Sequence, residues 1–229
     1  MENTNLKNAN PRRDFLGKIA AGAAAVGIAT LAAPIKAVSE TEFAFKNADD
    51  PEAWLAKIKG KHRIAFDCTE PHDVFPFAWP KVFLMTNGEA KDCGVVVILR
   101  HNAIPYALGN ELWEKYKFGE FFKIDDPLTK APAVRNTFWE PKPGDYAVPG
   151  IGNVDIGINQ LQQDGVMFCA CDVAMTVFSA VFAGKMNQDA NEIKREWVAG
   201  VLPGIQIVPS GVWAVGRTQE HGCSYCFAG

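Results

Sequence analysis

The chain has 229 residues and a formal net charge of −3, with 48% hydrophobic and 21% charged residues. This balance is typical of one globular domain with a proper core, and it excludes a disordered or fibrous chain. An acidic chain without a basic run also lacks the electrostatic surface that nucleic-acid binding requires, so we expect no nucleic acid among its partners.

The first 37 residues have the layout of an export signal. A basic start is followed by an uncharged run rich in Ala and Gly and then by small residues. The start contains the pair Arg12 and Arg13, and Phe15 and Leu16 come shortly after it. This arrangement resembles the twin-arginine signal, which is recognised by the twin-arginine translocase and carries folded proteins across the membrane.

The uncharged run, residues 19–33, is too short and too weakly apolar for a membrane span, which needs roughly 20 strongly apolar residues. Cleavage after Ala37 or near Ala33 would release the protein into the periplasm. An uncleaved signal would anchor it at the outer face of the cytoplasmic membrane. We therefore predict residues 1–37 as the twin-arginine export signal and 38–229 as a single exported domain.

Strand and helix patterns alternate along residues 38–229. The apolar runs predict strands at 63–67, 94–99, 166–171, 205–208 and 223–227. Helices are predicted at about 52–58, 81–86, 105–116, 154–163, 190–198 and 212–220, with a further one from about 172 to Gly184. This alternation predicts an α/β fold, an open and mostly parallel sheet of about five strands with helices on both faces.

Residues 117–152 form a long aromatic stretch rich in Pro and Gly. A connection of this length in a compact domain is typical of a lid, a binding loop or an oligomer contact.

The sequence contains six cysteines, which are its main candidates for chemical reactivity: Cys68, Cys93, Cys169, Cys171, Cys223 and Cys226. In an exported protein, disulfides are the first interpretation, and Cys223 and Cys226 at C-x-x-C spacing are the candidate pair. Cys169 and Cys171 are a poor pair, because alternate residues of a strand lie too far apart to be bridged. Cys169 is the one that we expect simply to pack as a small apolar side chain.

Four thiol and imidazole side chains follow predicted strands. Cys68 and His72 come after the first strand, His101 after the second, and Cys171 ends the third. Ligands bind off the carboxyl ends of parallel strands, so we expect these four at one edge of the sheet. Cys93 precedes its strand and is expected at the opposite edge.

Two chemistries fit this edge. Cys171 opens a predicted helix whose N-terminus favours the thiolate, although Asp172 opposes it, and such a thiolate can carry a persulfide. Cys68 is then a second reactive thiol. Alternatively, Cys68, Cys171, His72 and His101 offer ligands for zinc or another transition metal, although no metal-spacing motif links them.

Two charged side chains near this edge have a simpler interpretation, and the sequence lacks the common cofactor and catalytic motifs. Arg100 and Glu111 are expected to form a solvated pair. The sequence has no haem-attachment motif, dinucleotide or phosphate loop, nucleophile elbow or zinc-protease motif. No cofactor is therefore certain, and an enzymatic activity, if there is one, would be persulfide transfer.

Three segments near the C-terminal end resemble the DsrE/DsrF-like family. The run 165–171 reads GVMFCAC and resembles the turn and strand that end in the family's reactive cysteine. Residues 202–212, LPGIQIVPSGV, and 219–225, QEHGCSY, resemble later family segments, and residues 95–102 fit more loosely. The resemblance covers about 65 residues at the C-terminal end.

The resemblance implies a doubly wound α/β domain that assembles into homo-oligomers, trimers or hexamers, and some of whose members relay sulfur as a persulfide. By position, Cys171 matches the sulfur-carrying cysteine. We therefore expect an exported DsrE-like protein that binds or relays sulfur through Cys171, with small sulfur species as partners. Either Cys68 or the pair Cys223 and Cys226 would then serve as resolving thiols. The sequence departs from the family in its export signal, in the insertion at 117–152 and in its additional cysteines, so the family's role in tRNA thiolation is not expected here.

Overall fold

The computed structural model describes residues 50–88, 90–148 and 150–229. The predicted export signal, including Arg12, Arg13, Phe15 and Leu16, lies outside the described residues. None of the helices in these ranges is long and apolar enough to cross a membrane.

A five-stranded, entirely parallel sheet forms the centre of the described chain. Its strands are β1 (His62–Cys68), β2 (Cys93–Leu99), β5 (Met167–Cys171), β6 (Ile205–Val208) and β7 (Ser224–Phe227). Their order across the sheet is β6-β5-β2-β1-β7. Two short strands, β3 (Ala147–Val148) and β4 (Gly152–Asn153), pair separately as an antiparallel hairpin. All five predicted strands are confirmed to within one residue at either end.

The hydrophobic runs of the strands explain why the sheet is buried on both faces. Every residue of β2 is buried, as expected for the central strand of a parallel sheet covered on both sides. Gly94 is needed within it, because a Cβ there would lie 2.2 Å from the carbonyl oxygen of Lys59. The chain therefore packs backbone against backbone at the start of β2.

Helices cover both faces. They are α1 (Pro51–Leu55), α2 (Phe75–Thr86), α3 (Asn110–Tyr116), α4 (Phe118–Phe122), α5 (Ile158–Gln163), α6 (Asp172–Met186), α7 (Ala190–Ala199) and α8 (Gly211–Glu220). Two 3-10 turns, Ala90–Asp92 and His101–Ala107, flank β2.

The core is divided by the sheet into two hydrophobic clusters. The larger cluster holds alternate strand residues such as Phe66, Val97 and Phe168, packed against α2, α5, α6 and the segment 117–152. The smaller cluster holds the intervening residues, among them Ala65 and Ile98, packed against α1 and α8. The predicted fold class, an α/β sandwich with helices on both faces, is thus confirmed.

Several helix boundaries differ from the sequence prediction. The helix predicted over 52–58 ends at Leu55, and the helix predicted over 154–163 begins only at Ile158. The helix predicted over 105–116 is divided into the 3-10 turn and α3. The helix predicted over 81–86 begins earlier, at Phe75, with Pro76 in its first turn. Gly184 does not end α6, which continues to Met186 and is terminated by Asn187 in a left-handed conformation, with φ 54°.

Residues 118–138 are folded onto the core. Phe118, Phe122, Ile124, Ala133 and Phe138 are buried in the larger cluster. Ala133 and Ile124 are joined by a backbone hydrogen bond of 2.8 Å. This segment therefore adds aromatic side chains to the larger cluster beside the sheet.

Candidate functional site

Cys171 ends β5 and serves as the N-cap residue of α6. Its Sγ accepts a hydrogen bond from the backbone N–H of Ala174 at 3.2 Å. The 15-residue helix α6 presents the positive end of its dipole to this sulfur, and that end favours an anionic sulfur. Cys171 is 5% exposed, so only a small part of the residue meets solvent. The structure confirms that this thiol opens a helix.

The acidic neighbour of Cys171 is balanced by a lysine. Asp172 lies in the first turn of α6 and is 8% exposed. Its Oδ2 accepts a hydrogen bond from Nζ of Lys194, on α7, at 2.8 Å. The carboxylate that the sequence predicts to oppose a thiolate at Cys171 is therefore paired with an ammonium group.

Arg100 brings a positive charge to the same edge. Its Nε donates to Oδ1 of Asp67 at 2.6 Å, and its Nη2 donates to Oδ2 at 2.8 Å. The hydroxyl of Tyr225, on β7, donates to Oδ2 of Asp67 at 3.0 Å. The solvated pair predicted for Arg100 and Glu111 is wrong, because the two oxygens of Asp67 hold the guanidinium instead.

The guanidinium also lies within electrostatic reach of Cys171. The hydrogen bonds to Asp67 raise the pKa of Arg100 above its usual value, and the neighbouring Cys171 contributes a smaller rise. The stem of Arg100 packs on Gly211, at the start of α8, where a Cβ would lie 2.3 Å from Cδ of Arg100. Glycine at this position therefore leaves room for the arginine.

Cys68 occupies a different environment from Cys171. It is completely buried in the larger cluster, and its Sγ contacts the carbonyl oxygen of Phe66 at 3.9 Å. Burial raises the pKa of its thiol far above the ordinary value, and the nearby Asp67 and Cys226 raise it further. This position argues against the prediction of Cys68 as a second reactive thiol, since a nucleophilic cysteine must ionise and meet its substrate.

The two histidines lie on the surface of the edge. Nδ1 of His101 is 3.1 Å from Oε1 of Glu70. The ring of His72 packs against those of Phe75 and Trp79, at centroid distances of 5.0 and 6.4 Å. Among residues 50–88, 90–148 and 150–229, no three His, Cys, Asp or Glu side chains form a group that could hold a metal ion. The metal interpretation therefore gains no geometric support.

Cys223 and Cys226 do not form the disulfide that their spacing predicts. Cys223 and Cys226 are both free thiols. Cys223 is buried in the smaller cluster, whereas Cys226 packs against the larger one, on the opposite face of the sheet. Positions three apart around a strand face opposite ways, which keeps the two sulfurs apart. Strands β2 and β1 separate β7 from β5, so this arrangement also argues against the prediction of Cys223 and Cys226 as resolving thiols for Cys171.

Cys93 and Cys169 lie away from the candidate site. Cys93 begins β2 and is paired with His62, at the amino end of the sheet. This placement agrees with the expected opposite edge. Cys169 is completely buried in the smaller cluster, where it packs as an apolar side chain.

Asp67 and Tyr225 were missed by sequence reasoning. Asp67 was visible as a lone carboxylate at the end of an apolar strand, and a buried charge requires a partner. The sequence therefore indicated an ion pair but not its partners. Arg100 follows β2 and Tyr225 lies on β7, and these are the two strands on either side of β1. Only the strand order β2-β1-β7 brings these three side chains together.

Comparisons with known proteins give no indication of a function. No protein-family model matches the sequence, and no curated protein is similar to it. Among solved structures, the chain is similar to a protein of unknown function from Methanobacterium thermoautotrophicum, at 15% identity and a TM-score of 0.38. The match covers 72% of this chain and 98% of that one.

Proposed function

We propose that this chain is an exported DsrE-like protein that binds or relays sulfur through Cys171. The observation that carries the proposal is the position of the Cys171 sulfur at the N-terminus of α6, where it accepts the N–H of Ala174. A sulfur in this position is favoured as an anion in both the thiolate and the persulfide form.

The proposed reaction is a sulfur transfer that needs no external oxidant. The Cys171 thiolate attacks the outer sulfur of a donor such as thiosulfate, and the sulfur–sulfur bond of the donor breaks. Sulfite leaves with the bonding electron pair, and the outer sulfur stays on Cys171 as a persulfide anion. An acceptor thiolate reverses the process by taking that sulfur from Cys171.

Charge around Cys171 supports this reaction. Arg100 lies within electrostatic reach of the sulfur and is held in place by Asp67. Lys194 compensates Asp172, the nearest carboxylate in sequence. The two carboxylates near Cys171 are therefore each paired with a cation, which leaves the helix N-terminus to favour the anionic sulfur.

The proposal extends to location and assembly. The twin-arginine pattern supports export to the periplasm, and the family resemblance supports a homo-oligomer. The exposed edge strand β7 offers a surface for assembly, because Tyr225 and Phe227 are 48% and 55% exposed and β7 carries no charged residue. Sedimentation velocity of the mature protein tests assembly, and a monomer at micromolar concentration would contradict it.

The test of the sulfur chemistry is intact mass spectrometry after thiosulfate loading. The protein is reduced, freed of reductant, incubated with thiosulfate and measured with and without fresh reductant. We expect a reductant-sensitive gain of about 32 Da, the mass of one sulfur, on the peptide that carries Cys171. Cys171→Ser should abolish the gain, and the control Cys226→Ser, at the most exposed cysteine of the described chain, should keep it.

Two outcomes would contradict the proposal. A sulfur adduct of equal size in Cys171→Ser would assign the chemistry to another cysteine. A stoichiometric metal in the untagged protein, lost on substitution of His101 and without any sulfur adduct, would favour the metal-binding alternative.

A further inference from the structure

A cavity of about 300 Å³ lies beside the sheet, separate from Cys171. One wall is the turn after β1, residues 71–74, and the opposite wall is the inserted segment from Lys123 to Phe138. Its volume is at the lower end of the range for small-molecule sites. The segment 123–138 therefore forms one side of a partly open cavity that the sheet alone would not provide.

Two hydroxyl groups in this cavity have no protein partner. Tyr106 and Thr137 both line the cavity and are each 1% exposed. Within the described ranges, neither side-chain hydroxyl makes a hydrogen bond to the protein, although Thr137 accepts one from Tyr146 at its backbone oxygen. Buried hydroxyl groups are almost always hydrogen-bonded, so these two need a partner within the cavity, which a polar ligand or water can supply.

Both hydroxyls also retain access to that space. In the part of the chain that the structure describes, the fully enclosed side-chain polar atom without a partner is Nε1 of Trp197, which lies elsewhere. The oxygens of Tyr106 and Thr137 are therefore not sealed in the core. Since both residues line the cavity, their hydroxyl groups can bond to a molecule that is bound in it.

Charges of both signs surround the cavity. Lys123, Lys130, Asp73 and Asp125 line it, are exposed, and have no ion-pair partner among the described residues. A fifth charged residue, Asp126, is already paired, with its Oδ2 accepting from Nε of Arg135 at 3.0 Å. Two unpaired cations and two unpaired anions thus face one small space.

We propose that this cavity binds a free amino acid in its zwitterionic form. The α-ammonium group would pair with Asp73 or Asp125, and the α-carboxylate with Lys123 or Lys130. The hydroxyls of Tyr106 and Thr137 would meet the remaining polar atoms, and Ile124 and Phe138 would contact the side chain. The proposal is independent of sulfur transfer at Cys171.

The chemistry of Tyr106 agrees with this role. Burial raises the pKa of its phenol far above the usual value, and the nearby Tyr146, Cys68 and Asp73 raise it further. The phenol therefore stays neutral across the physiological range and can donate a hydrogen bond to a carboxylate.

The test is thermal unfolding of the whole mature protein with each common L-amino acid, followed by calorimetric titration of the strongest. At one hundred times its Kd, the bound amino acid should raise Tm by roughly 5 to 10 °C. The matching amine and the matching carboxylic acid, each with one charge, should raise it far less. Cys171→Ser should keep the full shift, which separates this site from the sulfur chemistry.

Two isosteric variants locate the site. Tyr106→Phe and Thr137→Val should each weaken binding about fivefold, because each removes one hydrogen bond to the ligand. Neither hydroxyl bonds to the protein, so both variants should fold as stably as the parent. Thr218→Val is the control, since its buried hydroxyl bonds to the backbone of Ala214 at 2.8 Å, and it should leave affinity unchanged.

The proposal is overturned if no amino acid shifts Tm, or if the amine or the acid alone shifts it as much as the zwitterion. It is also overturned if Tyr106→Phe and Thr137→Val, folded and stable, bind as tightly as the parent.

Discussion

Arg100 and Asp67 form a two-point ion pair at the carboxyl edge of the sheet, with distances of 2.6 Å from Nε to Oδ1 and 2.8 Å from Nη2 to Oδ2. Asp67 is 2% exposed, while the Arg100 side chain is 27% exposed. The pair connects the ends of β1 and β2 and directs the arginine toward the Cys171 edge. A planar guanidinium suits this two-point contact, which a lysine cannot make.

Replacing Asp67 with Asn should destabilise the protein by roughly 2 kcal/mol. The amide keeps the shape of the carboxylate but leaves Arg100 without its countercharge, and the cost is reduced because the arginine is partly exposed. Urea unfolding monitored by tryptophan fluorescence measures the change. The control is Glu120→Gln, which breaks an exposed contact with Lys117 and should cost less than about 1 kcal/mol. Equal losses in the two variants would contradict the account.

Replacing Lys194 with Met should slow the reaction of Cys171 with iodoacetamide by roughly threefold at neutral pH. The variant removes the ammonium that compensates Asp172, so an unbalanced carboxylate then lies beside the sulfur. Peptide mass spectrometry over time gives the rate for Cys171 alone. Lys185→Met serves as the control, because Lys185 lies in the last turn of α6, far from its N-terminus, and its loss should leave the rate unchanged.

Stability should fall in alkaline solution. Burial raises the pKa of the Cys68 and Cys169 thiols above the ordinary value of 9.0, so both remain protonated in the folded state. The unfolded chain releases these protons first, and the stabilisation present below pH 9 is lost as pH rises above it. Each thiol should contribute a slope of up to about 1.4 kcal/mol per pH unit. Urea unfolding between neutral pH and pH 10 measures the slope.

Cys68→Ala provides the control for this pH dependence. The variant should be less stable at neutral pH, because it leaves a small cavity, but its stability should decline less steeply above pH 9. A slope identical to that of the parent would show that Cys68 is not the protonated buried thiol described here.

Replacing Gly119 and Gly216 with alanine should change the stability of the protein in opposite directions. A Cβ at Gly119, in α4, would lie 2.3 Å from the backbone nitrogen and oxygen of Ala133, whereas one at Gly216, in α8, would meet nothing within 4 Å. Gly119→Ala should therefore destabilise the protein by about 2 kcal/mol. Gly216→Ala should stabilise it by up to about 1 kcal/mol, because alanine favours the helix. Thermal unfolding of both variants checks the two signs, and a stabilising Gly119→Ala would contradict the packing.

Local pattern was sufficient to predict the sheet. Each strand carries a short apolar run bounded by polar or turn residues, and the run 94–99 is so uniformly apolar that burial on both faces is its simplest explanation. The alternation of these runs with helical segments then predicts parallel strands, which place Cys93 at one edge and Cys171 at the other. The position of Cys171 at the start of a helix follows from the same local reading.

The neighbours of Cys171 depended on the tertiary structure. Arg100, Lys194 and Cys171 are far apart along the chain, and their separation in space depends on strand order and helix packing, which no local pattern encodes. Cys223 and Cys226 illustrate the same limit: their spacing suggests a disulfide, but the alternation of side chains about β7 places them on opposite faces.

The sequence by itself thus determined the strands, the parallel sheet and the edge at which Cys171 lies, because these follow from the periodicity of apolar residues within short segments. Only the tertiary structure decided which charges surround Cys171, that Cys68 is sealed in the core, and that residues 123–138 line a cavity. These features depend on contacts between segments that are distant in sequence. A local pattern of apolar and polar residues does not show which side chains meet when those segments pack together.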